Sequence, residues 1–258
     1  MIKAIFFDID GTLVSFKTHS VPDETKKAVQ TLRNKGIKVF IATGRMLNMI
    51  DVLGDMQFDG FIAYNGACCT DGEKNILYKH VIPQRELNNL VERLKSDKFP
   101  VSFMCKDNMY VNYHNNVVLN VAAHVNVDPP IVRNPSDIIK EDVYQLCIYV
   151  DECKLQQIID ETLPDCRGRR WIPDFADVNM KDIDKDSGMD RLIDFFDIKL
   201  SETMAFGDGG NDISMLKHAA IGIAMGNSSD EVKRSADYIT DSVDDNGVVN
   251  ALKHFNLL

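Results

Sequence analysis

The stretch that most constrains this chain is its beginning, MIKAIFFDIDGTLV. Residues 2–7, IKAIFF, form an apolar run without alternation, the pattern of a strand buried on both faces of a parallel sheet. The run ends in two acids, Asp8 and Asp10, followed by Gly11. In open parallel sheets ligands sit outside the carboxyl ends of the strands, which is where these acids fall. Two carboxylates two residues apart on a strand are about 6.6 Å apart and repel by roughly 2.5 kcal/mol at an effective dielectric near 20. An isolated Asp-x-Asp can be no more than a solvated strand end, so its surroundings have to decide.

Those surroundings alternate strand and helix. Pro22 opens a predicted helix whose Thr25, Ala28, Val29 and Leu32 fall at helical spacing, and Gly36 ends it before a second strand, IKVFIATG. Strand, helix and strand predict a right-handed parallel crossover. A further helix is predicted to carry Met46, Met49, Ile50 and Leu53 on one face, followed by a third strand, GFIAYNG, and a hairpin turning at Asp71 and Gly72. From about residue 82 a helix with Leu87, Leu90, Val91 and Leu94 is followed by strand-like FPVSFMC and MYVNY. After a helix near 115–124 and the break DPP, the strand VYQLCIYV leads to a helix over 152–163 and the strands CRGRRWI and FADVNM, with Trp171 expected in the core. Helix and hairpin thus occur twice, and after residue 186 the strand–helix alternation returns. The expected fold is α/β: a Rossmann-like parallel sheet core, residues 1–81 and 183–258, interrupted by an inserted α+β unit, residues 82–182.

Composition narrows the function. The 258 residues, 45% of them apolar, suffice for two domains, and a net charge of −10 without any Lys/Arg block disfavours a nucleic-acid face. No apolar run approaches the ~20 residues needed to cross a bilayer, and IFF is too short for a signal peptide, so neither membrane nor export is expected and a cytoplasmic enzyme is. The six cysteines lack metal-ligand spacing and read as buried thiols, and the sequon at Asn227 reads as idle.

The stretch MAFGDGGND places Asp208 and Asp212 after another apolar run, where they are expected to join Asp8 and Asp10. Such a cluster is tolerable mainly around a cation, and an all-oxygen donor set suits Mg2+. Gly11 and Thr12 suggest a tight turn with backbone amides facing an anion. Thr43, in ATGR at the end of the second strand, and Lys185, just before a helix, suit phosphate oxygens. Acids, cation, hydroxyl and ammonium together describe phosphoryl transfer.

DIDGTL, ATGR, Lys185 and GDGGND resemble the four signatures of the haloacid dehalogenase-like phosphohydrolases, and the insertion is similar to the cap of the Cof-like, class IIB sugar-phosphate phosphatases. The resemblance spans essentially the whole chain, with NGA at 65–67 and AMGN at 224–227 as further marks. It implies a Mg2+-dependent phosphatase acting on small phosphomonoesters, hexose or other sugar phosphates foremost, through an aspartyl phosphate. By the same resemblance Asp8 is the nucleophile and Asp10 the general acid and base. The Asp8 carboxylate, the Asp10 carbonyl and Asp208 ligate the metal, with Asp212 standing behind them. Thr43 and Lys185 hold phosphoryl oxygens, and Gly11, Thr12, Gly44, Asn65 and Asn211 belong to the same pocket. Arg45 reaches the phosphate or the sugar.

The family's lysine is commonly followed by Gly, whereas this chain reads IDKDSG, so Lys181 stays open beside Lys185. Asp177 or Asn179 could face the site from the cap. A phosphomutase and a non-catalytic sugar-phosphate sensor are the alternatives. The mutases of this superfamily carry their cap soon after the first signature, and a sensor would more often have lost an acid. A monomer or weak oligomer is expected.

Overall fold

The first strand, Ala4–Phe7, lies fourth in an eight-stranded sheet ordered Tyr238–Ile239, Ile221–Ala224, Thr203–Gly207, Ala4–Phe7, Lys38–Ala42, Gly60–Ala63, Cys68–Asp71, Ile76–Lys79. The first six run parallel, and Cys68–Asp71 turns back antiparallel. This computed structural model describes residues 1–173 and 175–258, without the side chains of residues 171 and 172. The expectation for Trp171 therefore lies outside the described residues.

The unbroken apolar run of the first strand has two cores to fill. Ile5 and Phe7 pack with Val29, Leu32, Val248 and Leu252 on one face, while Ala4 and Phe6 pack with Phe40, Met189 and Leu192 on the other. Phe6 stacks on Phe40 and Phe7 on Phe206, each pair at 4.8 Å between ring centroids. Each such side chain, fully removed from water, contributes about 1.5–3 kcal/mol. Register carries this order to the site: Phe7 lies opposite Phe206 on one side and Ile41 on the other. Asp8, Asp208 and Thr43 consequently leave three adjacent strands at one edge of the sheet. The chain passes from the first strand to Lys38–Ala42 on one side and returns at Thr203–Gly207 on the other, so the order reverses there, the place where open α/β sheets bind ligands.

The helix Asp23–Asn34 buries Thr25, Ala28, Val29 and Leu32, the face its spacing predicts. It stops because Gly36 takes φ +80° and the Ile37 amide turns back to the Leu32 carbonyl. The predicted helix over 46–53 is corrected by the structure, which has two short 3-10 turns, Leu47–Met49 and Asp51–Leu53. Met46, Ile50 and Leu53 are buried as the spacing requires. However, the Met49 carbonyl, which an α-helix would offer to the Leu53 amide, accepts Arg45 Nη1 at 2.9 Å, and that amide bonds Ile50 instead. The hairpin at Asp71 is built by its carboxylate, which accepts the Glu73 and Asn75 amides.

The chain divides into two compact units, Met1–Tyr78 with Asp184–Leu258, and Lys79–Ile183. The second has its own six-stranded sheet, ordered Cys166–Ile172, Phe175–Met180, Val143–Ile148, Val101–Cys105, Met109–Val111, Ile131–Val132. One face, with Phe103, Leu146, Ile148 and Val178, packs on Leu87, Leu90, Leu155 and Ile158 from the helices Gln84–Ser96 and Glu152–Thr162. The two-residue period puts Ser102, Gln145, Asp177 and Asn179 on the other face, where all four are buried. There Cys147 Sγ donates to Asp177 Oδ1 at 3.4 Å and Asn179 Nδ2 to the Tyr144 carbonyl at 3.3 Å. The short edge strand Ile131–Val132 was not legible in the sequence, since DPPIV reads as a break.

Five cysteines are buried and Cys153 is exposed, which corrects the reading of all six as buried. Among the described residues no helix is long and apolar enough to cross a membrane.

Candidate active site

The loop after the first strand closes as a tight turn. The Ile9 carbonyl accepts the amides of Thr12, Leu13 and Val14 at 3.3, 3.0 and 2.8 Å, and the Gly11 amide bonds the Val14 carbonyl at 2.9 Å. The amides of Gly11 and Thr12 are therefore spent inside the turn and do not face an anion, a correction to the sequence reading. Gly11 is required for two reasons. Its φ is +84°, and a Cβ there would stand 2.1 Å from Asp208 Oδ2.

That close approach brings the two acidic loops together. Thr12 Oγ1 donates to Asp208 Oδ1 at 2.9 Å. Asn227 Nδ2 donates to the Gly11 carbonyl at 2.9 Å and to Asp208 Oδ2 at 3.2 Å, while its own oxygen accepts the Val243 amide. Asn227 thus clamps both loops, a role assigned to no residue from the sequence, although AMGN marks it.

Asp212 is wholly buried and shapes its own loop: Oδ2 accepts the amides of Asp208 and Gly209 at 2.9 and 2.8 Å. Its Oδ1 accepts Lys185 Nζ at 2.6 Å, and the same ammonium donates to Asp8 Oδ1 at 2.6 Å. Lys185 begins the helix Lys185–Phe195, where the helix dipole disfavours a cation, and the two carboxylates offset that cost. Burial works against its charge, but Asp212 and Asp8 outweigh burial and raise its pKa. Its bonds to Asp8 and Asp212 place Lys185 among the acids, while Lys181 is exposed and belongs to the other unit.

Asp8, Asp208 and Asp212 each offer an oxygen, all within 4.8 Å of one another. One ammonium does not balance three carboxylates. Burial first, then Asp212, pushes the Asp8 carboxyl up to about 7 against the pull of Lys185. Asp208 is likewise pushed well up by burial, then by Asp8 and Asp212. Three hard oxygen donors with surplus negative charge are a donor set that fits a divalent cation such as Mg2+. Lys185 is the one protein donor on the Asp8 carboxylate among the described residues, which leaves its second oxygen for chemistry.

Asp10 lies two residues on and is 22% exposed at its side chain. Both its oxygens accept Arg45, from Nε and Nη2, at 2.7 Å each. Thr43 is buried at the end of its strand and accepts the Arg45 amide at 3.0 Å, which leaves its hydroxyl hydrogen to donate. Gly44 sits half-buried between them. Asn65, at φ +54°, bonds the Thr43 carbonyl through its amide at 2.9 Å and accepts Asn211 Nδ2 at 2.9 Å, so these residues meet from three loops. Asp177 and Asn179 belong to the other unit.

Residues 5–252 match the profile of the haloacid dehalogenase-like hydrolases. A solved structure described as the HAD subclass IIB sugar phosphatase BT4131 is 41% identical, covers 99% of this chain and 100% of its own, and superimposes with a TM-score of 0.92. YkrA of Bacillus subtilis (strain 168), classed by name with the phosphatases, is 31% identical over 99% of this chain and 98% of its own. YcsE of the same organism, named as a 5-amino-6-(5-phospho-D-ribitylamino)uracil phosphatase, is 28% identical over 99% of this chain and 96% of its own.

Proposed function

The chain belongs to the haloacid dehalogenase-like hydrolases, in their Cof-like class IIB, and on that premise we propose that it is a cytoplasmic, Mg2+-dependent phosphatase that hydrolyses small phosphomonoesters, sugar phosphates foremost. The observation that carries this reading is Asp8: it lies at the end of the central strand, one oxygen is fixed by Lys185, and the other is left without a protein donor among the described residues.

That second oxygen attacks phosphorus and forms an acyl phosphate as the ester P–O bond breaks. The leaving alkoxide takes a proton from Asp10. Water then attacks the phosphorus, Asp10 takes its proton, and Asp8 departs as carboxylate, releasing inorganic phosphate. Thr43 donates to a phosphoryl oxygen, and Lys185 keeps Asp8 and Asp212 in place. Asp8, Asp208 and the Asp10 carbonyl would hold Mg2+, with Asp212 orienting the loop behind them. When bound, the ion supplies the positive charge that lets a phosphate dianion approach Asp8. Choice of substrate is assigned to the unit Lys79–Ile183, since every acid with a chemical role lies outside it.

Support comes from the acid cluster and from BT4131, described as a sugar phosphatase. The test is a panel of hexose, pentose, sugar-alcohol and ribityl phosphates assayed for phosphate release with Mg2+ and with chelator. Release from at least one class is expected with Mg2+ only, and none from Asp8→Asn. Turnover independent of divalent cation, or retained by that variant, would overturn the reading.

A further inference from the structure

Resting on the assignment of Asp10 as the acid, we propose that Arg45 is its positioning residue, holding the Asp10 carboxylate in one orientation beside Asp8 instead of binding the phosphate or sugar. The geometry behind this is a guanidinium immobilised from several directions. Nε and Nη2 meet the two oxygens of Asp10 at 2.7 Å each, a parallel fork that fixes the plane of the carboxylate as well as its position. Nη1 is tied to the Met49 carbonyl at 2.9 Å. The Arg45 backbone is pinned too, its amide by Thr43 Oγ1 at 3.0 Å and its carbonyl by the Tyr64 amide at 3.1 Å. The side chain is only 13% exposed.

These contacts also explain why residues 46–53 do not form an α-helix: the backbone gives up one of its helical acceptors, the Met49 carbonyl, to hold this arginine. A residue kept for a mobile ligand would not need its third nitrogen bound to a bent main chain. The fork occupies one lone pair on each Asp10 oxygen and leaves a second on each, from which a proton can be delivered and later recovered. General acid catalysis depends on that direction, and a displacement of about 1 Å typically costs about 10²-fold in rate.

The test is a double-mutant cycle read by single-turnover phosphorylation of the enzyme in Mg2+. The two substrates are the best hexose phosphate of the panel, whose alkoxide leaving group needs a proton, and p-nitrophenyl phosphate, whose leaving group needs none. Arg45→Gln and Arg45→Lys are each expected to slow phosphorylation by the hexose phosphate by about 10²-fold. They should slow p-nitrophenyl phosphate far less and leave inhibition by inorganic phosphate unchanged. In an Asp10→Asn background, Arg45→Gln should cause no further loss.

Equal losses on both substrates with weakened phosphate inhibition would make Arg45 a phosphate ligand and overturn the proposal. So would losses that multiply in the double variant, or full activity in Arg45→Gln. A wild-type protein that turns over neither substrate would overturn the phosphatase reading itself, a result distinct from all of these.

Discussion

Replacing Asp8 by asparagine should stabilise the metal-free protein, and by an amount that depends on pH. The native state pushes the Asp8 carboxyl from an ordinary 3.8 up to about 7, by burial and then by Asp212. The folded chain therefore binds this proton more tightly than the unfolded chain, and ionised Asp8 works against the fold. The penalty is absent below about pH 4, grows as the pH rises toward about 7 and reaches a few kcal/mol there, shared with Asp208, whose carboxyl Asp8 also pushes up. Asparagine is nearly isosteric, can still accept Lys185 and carries no charge to neutralise.

In chelator at about pH 8, Asp8→Asn should exceed the wild type by a few kcal/mol, a large share of a typical 5–15 kcal/mol stability, and the gap should shrink by more than half at about pH 5. Surface acids with lowered pKa, such as Asp97 and Asp137, titrate in both proteins and cancel in the difference. Saturating Mg2+ should narrow the gap, because a ligand at about 100 times its Kd adds about 2.7 kcal/mol to the form that binds it. Urea unfolding at the two pH values measures all of this. A gap that does not change with pH, or a wild type that is the more stable at about pH 8 in chelator, would refute the electrostatic reasoning.

Gly11→Ala should lower Mg2+ affinity by about tenfold or more in calorimetric titration, because the new Cβ would occupy the position of Asp208 Oδ2. Unchanged affinity would mean that Asp208 is not a ligand. Lys185→Met leaves Asp8 and Asp212 without their shared partner in a buried site and should cost about 3–5 kcal/mol in chelator, part of it restored by adding Asp212→Asn. Denaturant unfolding of the single and double variants checks both halves of that expectation. Asp10→Asn should slow phosphorylation by a sugar phosphate by about 10²–10⁴-fold and by p-nitrophenyl phosphate far less. Equal losses would mean that Asp10 matters through geometry alone.

The candidate site was legible in the sequence where acids and a hydroxyl coincide with the ends of buried strands. The run IKAIFF has two cores to fill, and this is visible as missing alternation, so the positions of Asp8, Thr43 and Asp208 follow from where apolar runs stop. What escaped it depends on contacts between distant residues. Arg45 meets Asp10 across 35 positions, and its hold on the Met49 carbonyl overrides a helical spacing that is otherwise sound. Asn227 reaches Gly11 across 216 positions. The Gly11 and Thr12 amides looked available for an anion because a glycine turn shows where the chain bends but not which amides the bend itself uses.

The central claim is that Asp8 becomes phosphorylated. The most direct measurement uses Asp10→Asn, in which loss of the carboxylate proposed as the base should slow the hydrolytic step and let the intermediate accumulate. The variant is mixed with p-nitrophenyl phosphate and Mg2+, quenched in acid after one turnover, and digested for mass spectrometry. One phosphoryl group on the peptide containing Asp8, formed in step with p-nitrophenolate release and absent from the Asp8→Asn protein, is the expected result. A full equivalent of p-nitrophenolate with no phosphorylated peptide, or with the phosphoryl group on another residue, would contradict it.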